Sequence, residues 1–277
     1  MTIIANIAAV AGTEFRISLR NWWVVLATAI FTLFALALTF SGTGGAETKA
    51  GQLSLAAANI ATLSVYLIPL IALLISYDSF AGEVERGTLA LVLATPVSRA
   101  ALLAGKLLGL IVILAIAMVS GLVISSLAAG LAYGFDPDGL VAIARLAVTG
   151  LLLGSVFIAI GMLVSMASPR TGAAAALAVG VWLLAVVLYD LALLAGILSD
   201  SGGFFTRTLF PYLVIANPGD AFRIFNLALL SDKAPVSGLD GIASTLPFDT
   251  SYAIAALVFW LAAILAASYA RIRRLAP

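Results

Sequence analysis

Six stretches of this chain run for 19 residues or more without an Asp, Glu, Lys or Arg: 21–46, 50–77, 107–135, 146–169, 171–189 and 250–270. A charge near the bilayer centre costs about 2.5–3.5 kcal/mol on insertion scales, so such runs mark transmembrane helices. Every other charge-free run has 13 residues or fewer, below the roughly 17–25 that a helix needs to cross the hydrocarbon. Composition agrees, with 63% hydrophobic and 10% charged side chains, against about a half and a quarter in soluble domains. The expected fold is an all-α polytopic membrane protein, one transmembrane domain over 1–277 with spans near 22–40, 55–77, 107–133, 146–167, 173–191 and 251–270.

An even number of spans places both termini on one side. That side then carries Arg16, Arg20, Arg86, Arg99, Lys106, Arg170, Arg271, Arg273 and Arg274, and the other carries Lys49, Arg145, Arg207, Arg223 and Lys233. The richer side is expected to be cytoplasmic. The first span is expected to be retained, because its apolar run is too long for a signal-peptide core and no clear small-x-small site follows it. Ahead of it, Ile3, Ile4, Ile7, Val10, Ala11, Phe15 and Leu19 recur at near-helical spacing, while Asn6, Thr13, Glu14, Arg16 and Arg20 fill other positions. This predicts a helix lying in the cytoplasmic interface, with a plain extension of the first span as the alternative.

Several chemistries are excluded. Fourteen basic residues against 13 acidic ones give a net charge of +1, no excess with which to neutralise a phosphate backbone. The chain has no Cys and no His, so thiolate and imidazole ligands, thiol nucleophiles and the commonest general base are missing. No Gly-x-x-x-x-Gly-Lys-Ser/Thr loop occurs, so an ATP-binding cradle of that type must come from another polypeptide.

Two segments between spans are patterned beyond plain connectors. In 78–106, Glu83 and Arg86 share a helical face, Gly87 suits a helix C-cap, and Thr95-Pro96 reads as an N-cap followed by proline at the first helical position. This predicts short helices bent across the membrane surface, although spacing alone does not separate them from a solvated charged loop. In 199–249, Asn217-Pro218-Gly219-Asp220 reads as N-cap, N1 and an acid at N3. The helix it opens continues through Ile224, Phe225, Leu227, Leu229 and Leu230, predicting helices that dip into the outer leaflet or pack on the bundle.

The order Glu83-x-Glu85-Arg86-Gly87-Thr88-Leu89, Thr95-Pro96-x-Ser98-Arg99 and Gly105-Lys106, with Asn217-Pro218-x-Asp220-x-Phe222-Arg223 before the last span, resembles the ABC-2 type permeases over essentially the whole chain. The stretch from Tyr66 through Pro69 to Asp78 is similar to the subgroup serving nitrous oxide reductase maturation. The resemblance implies a homodimer of six-span, non-catalytic subunits in the bacterial inner membrane. Each would engage a cytosolic ABC ATPase of the NosF type, which binds the ATP and Mg, through a coupling helix near Glu83, Glu85, Arg86, Gly87 and Thr88, with Arg99 close by. It also implies a periplasmic β-helical partner of the NosD type. That partner would dock on 199–249, where Asn217, Pro218, Asp220 and Arg223 lie, and on the turns near 42–52 and 136–139. The implied cargo is copper or a sulfur species for the reductase's metal centres; an ABC-2 exporter of a lipid, drug or glycan is the alternative.

Inside the spans, Met118, Met162 and Met166 are the only soft donors and read as packing, so no metal relay and no resident cofactor are expected in this chain. Asp190 is an acid about 27 Å along its helix from Ala173. It reads as an interfacial residue without an evident partner, or as a gate or cargo contact. Pro69 should kink the second span, at a gating bend or at a packed seam. Trp22, Trp23 and Trp260 suit interfacial or lipid-facing positions. An intramembrane enzyme would need paired titratable groups at one depth; a passive anchor would be indifferent to changes at Glu83.

Overall fold

The computed structural model describes residues 3–19, 21–41, 52–95, 97–200, 202–228 and 249–274. Among them every regular element is helical. Six segments are long and apolar enough to cross a membrane: Trp22–Phe40, Leu53–Glu85, Arg99–Tyr133, Pro137–Ala167, Thr171–Asp200 and Ser251–Ile272. The spanning helices run past the expected ends because backbone hydrogen bonding does not stop where charge begins. Helix α6 (Arg99–Tyr133) starts eight residues before the expected 107. At 1.5 Å per residue it is about 52 Å long, well over the ~30 Å of hydrocarbon. Helix α7 (Pro137–Ala167) is capped by Asp136, whose carboxylate accepts from the Asp138 and Gly139 amides and from Ser54 Oγ.

The core is built on α3 (Gln52–Ser76) and α7, with α2 (Trp22–Ser41) and α6 packed against them. Ile68, Leu73, Leu110, Leu114 and Phe157 are fully buried where these helices meet. The first described helix and the end of the last one lie together at one end of the bundle, called here the termini end. There α1 (Ile3–Leu19) lies along the start of α6. Close approach requires glycine at two positions one turn apart. A Cβ on Gly105 would stand 2.6 Å from Val10 Cβ, and one on Gly109 would stand 2.8 Å from Glu14 Cβ. Glu14 is therefore on the packed face of α1 and not, as expected, among the polar positions off it.

Between α3 and α6, α4 (Asp78–Glu85) continues α3 after the single turn residue Tyr77, and α5 (Leu89–Leu93) follows. The C-terminus of α4 is the predicted glycine cap. Gly87 sits at φ +69°, its N–H donates to Val84 C=O, and Thr88 N–H donates to Glu83 C=O, the two crossed bonds of a Schellman motif. The helix that follows the Thr95-Pro96 pair is α6 itself and not a separate short surface helix, and its cap is not Thr95. Ser98 is its N-cap, accepting from Ala101 N–H, because the extended backbone at Ser98 places the hydroxyl over the free amides of the first turn. Pro96 lies outside the described residues.

The fifth span comprises α8 (Thr171–Trp182), a π-helical turn at Leu183–Leu188 and α9 (Tyr189–Asp200). A second π-helical turn, Phe205–Leu209, leads into α10 (Phe210–Ala216). The chain then breaks at Asn217 and returns into the bundle as α11 (Pro218–Ala228), packed on α3, α7 and the last helix, α12 (Ser251–Ile272). Nine of the eleven α11 residues are buried. The cap is formed as the sequence suggests, with Asn217 Oδ1 accepting from the Gly219 and Asp220 amides at 2.8 and 3.4 Å. Leu229, Leu230, most of the 42–52 turn and residues 229–248 of the outer segment lie outside the described residues.

Candidate functional site

Polar contacts gather at the two ends of the bundle. At the termini end they centre on Lys106. Its ammonium has three donors, and all three are taken: by Glu14 Oε2 of α1 at 2.9 Å, Glu83 Oε1 of α4 at 2.7 Å and Ser79 C=O at 2.8 Å. The Phe80 ring lies 5.2 Å from the ammonium. The Lys106 side chain is 4% exposed and those of its two carboxylate partners 11% and 15%. Buried charges persist only when paired and hydrogen-bonded, so the cluster fixes α1 and α4 to α6 in one arrangement.

Further ties hold α4 from its other sides. The Phe80 and Ala81 amides of its first turn donate to Ser165 Oγ of α7 at 2.9 and 2.8 Å, a cap supplied by a neighbouring helix. At the far end of α4, Glu85 Oε2 accepts from Thr171 N–H and Oγ1 at 2.9 and 2.6 Å, joining α4 to the start of the fifth span. Arg99 donates to the Ile272 and Arg273 carbonyls, which fastens α6 to the end of α12. A displacement of α4 therefore loads α1, α6, α7 and α8 together. Arg86 pairs with Asp78 at 3.9 Å and not with Glu83, on a side chain 59% exposed, a contact worth little by itself. Gly87 and Thr88 serve the Schellman turn.

At the opposite end the structure gives Asp190 the partners that the sequence did not suggest. Asp190 Oδ2 accepts from Tyr66 Oη of α3 at 3.0 Å and from Arg223 Nη1 of α11 at 3.2 Å. The same guanidinium binds Asp220 one turn earlier on α11. Asp190 is thus not without a partner, because the buried α11 returns a cation to it. Asn217, besides capping α11, donates from Nδ2 to Ala185 C=O at 2.6 Å, inside the π-helical turn that frees this carbonyl. Pro218 occupies the first position of α11. The helix's other end is held by Arg145 Nη2 on Asn226 C=O and by a mutual contact of Asn226 with Thr149.

Pro69 is buried inside α3. Proline removes one rung of the ladder, and Trp182 Nε1 of the fifth span donates to the Tyr66 carbonyl beside the break at 3.0 Å. The turn of α3 that holds Pro69 is thereby tied to the fifth span. Trp260, half-buried on α12, donates to Ala216 C=O at 2.7 Å and supports the break before α11. Met118, Met162 and Met166 are buried among aliphatic and aromatic side chains of the core. The double variant Met162→Leu, Met166→Leu is expected to keep full function and to cost less than about 1.5 kcal/mol per site, as volume-conserving core swaps do. A large drop in melting temperature, or loss of co-purified ATPase at normal expression, would contradict this.

Sequence reasoning passed over Lys106 and Glu14 as site residues. The signal was an acid within the apolar α1 pattern and a lysine beside Gly105 at the mouth of a long apolar run. Tyr66 carried no signal of its own.

The family described as "ABC-2 family transporter protein" matches residues 8–274. The probable ABC transporter permease protein NosY of Pseudomonas aeruginosa is 37% identical over 270 residues, covering 96% of this chain and 97% of that protein. The protein of the same description from Stutzerimonas stutzeri is 35% identical over 269 residues, with the same coverage. The chain belongs to the ABC-2 family of transporter proteins, as a non-catalytic, multi-pass permease subunit of the kind that works with a separate ATPase subunit.

Proposed function

We propose that this permease transmits ATP hydrolysis by a NosF-like cytosolic ATPase to a periplasmic, NosD-like β-helical partner, for copper-site assembly of nitrous oxide reductase during denitrification. The observation that carries the reading is the fastening of α4 to four other helices at the termini end, which suits an element pushed from outside the membrane. The likeness to two NosY proteins along nearly the whole chain supports the cargo system. In this reading two copies form a homodimer in the inner membrane, and ATP and Mg stay on the ATPase. The termini end faces the cytoplasm, where Arg16, Arg86, Arg99, Arg170, Arg271, Arg273 and Arg274 outnumber Arg145, Arg207 and Arg223 of the opposite end.

Glu85, Arg86, Gly87 and Thr88 form the end of α4 that the ATPase meets, while Glu83 anchors it to Lys106. Glu83→Ala is expected to leave the complex assembled in reduced amount and to uncouple it, so that ATP is hydrolysed without maturation of the reductase. The check is purification from the native membrane, with mass spectrometry of the companions and a maturation assay. An unaltered ATPase yield together with full maturation would contradict the role of α4. Loss of the whole gene without effect on the reductase would reassign the transporter to another cargo.

A further inference from the structure

The far-end cluster contains more acid than base. Asp190 and Asp220 share one guanidinium, that of Arg223. The side chains of Arg223, Asp190 and Asp220 are 8%, 14% and 1% exposed. The hydrogen bonds are unevenly divided. Asp190 accepts from Tyr66 Oη and, through both oxygens, from Arg223. Asp220 binds Arg223 through Oδ1, whereas its Oδ2 is buried without a hydrogen-bond partner among the described residues. Asp220 also faces the Asp190 carboxyl.

Among the described residues the surroundings offer no second cation. Helix α3 contributes Tyr66, and the fifth span contributes Asp190 and Tyr189, whose hydroxyl donates to Leu213 C=O. Helix α11 contributes Asp220 and Arg223. The nearest charge on α7, Arg145, is turned to the other end of α11, where it holds the Asn226 carbonyl. The described part of α12 that packs here, including Ala253, Ile254 and Leu257, is apolar. With both acids ionised the site would carry an uncompensated negative charge away from water. Two carboxyls in one such place do not both ionise; one takes a proton.

We propose that Asp190 and Asp220 form a proton-binding carboxyl pair, with Asp220 Oδ2 as the place of the proton, and that this proton latches α11 to the fifth span. A protonated Oδ2 becomes a donor toward the neighbouring Asp190 carboxyl, so the unpartnered oxygen of the cluster gains its bond. Release of the proton leaves two acceptors opposed and pushes α11 away from α9. Since α11 begins at the Asn217 contact with the π-helical turn and ends at Arg145 on α7, this movement acts first on the far end of the bundle. The ligand is a proton, and the inference does not depend on the cargo.

The sign of the pH dependence follows from linkage. A carboxyl protonated in the folded protein and ionised when unfolded stabilises at acid pH, and that contribution is lost as pH rises through the folded-state titration. The test uses the full permease–ATPase complex in lipid nanodiscs, titrated from mildly acidic to alkaline pH, with infrared spectroscopy of the protonated-carboxyl C=O stretch and thermal melting. Wild type is expected to show one buried protonated carboxyl, and its melting temperature should fall as pH rises. In Asp220→Asn, which imitates the neutral acid, the band should vanish and melting should hold its acid-pH value throughout. In Asp190→Asn the band should vanish too, because Asp220 then faces Arg223 without a rival acid. Wild type without the band across the range, or a band and pH response persisting in both variants, would overturn the proposal.

Discussion

Lys106→Met is expected to lower the stability of the permease by about 3–5 kcal/mol, the usual cost of removing one partner from a buried ion cluster, and to release the ATPase. The ammonium holds Glu14 of α1 and Glu83 of α4 at 2.9 and 2.7 Å, so its loss leaves two carboxylates opposed in a nearly dry site. Helix α1 keeps its seat on Gly105 and Gly109, but α4 loses its tie to α6 and the surface that α4 presents is no longer fixed. Melting of the purified permease and the yield of co-purified ATPase measure the two effects. The triple variant Glu14→Gln, Lys106→Met, Glu83→Gln separates charge from packing: with no unpaired charge left, it should regain most of the lost stability. A single variant as stable as the parent, with a full complement of ATPase, would remove the cluster from the coupling account.

Arg223→Leu is expected to be comparably damaging at the other end. It strips from Asp190 and Asp220 the one cation they have among the described residues and leaves the start of α11 without its bond to the fifth span, again at about 3–5 kcal/mol near neutral pH. Here the loss should shrink as pH falls, because both acids can then be neutralised in place. Melting of Arg223→Leu over a pH series reads this directly; a deficit constant with pH would mean that the damage lies in packing alone. Asp190→Asn should be milder, since Arg223 keeps Asp220 and Tyr66 keeps a polar partner.

Much of the architecture is written locally and was legible for that reason. Charge-free length marks spans because the bilayer penalises charge wherever it occurs. Gly87 and Asn217 announce a helix end and a helix start because their caps use backbone atoms within a few residues. What escaped is what links distant positions. Lys106 meets Glu14 across 92 residues and Glu83 across 23, and no spacing rule joins them. The third span reads as starting at 107 because Lys106 ends the charge-free run, whereas α6 begins at Arg99 and carries Lys106 inside it, paired with Glu14 and Glu83. Asp190 was read as solitary because the search for its partner stayed within the spans, whereas Arg223 arrives on a helix that folds back from the connecting segment. An acid in an apolar span and a basic residue in an apolar connecting helix are each costly alone, and their joint presence was the available clue.

The central claim is that force applied to α4 reaches α11 through the bundle. The chain has no cysteine, so a spin label at Leu198→Cys, an exposed position near the end of α9, reports on the far end without background. The decisive measurement is the label-to-label distance across the proposed homodimer in nanodiscs, with and without ATP trapped on the ATPase, in the parent and in Glu83→Ala. The account predicts a nucleotide-dependent change in the parent that is absent in Glu83→Ala while ATP is still hydrolysed. The same change in both proteins, or none in the parent, would contradict it.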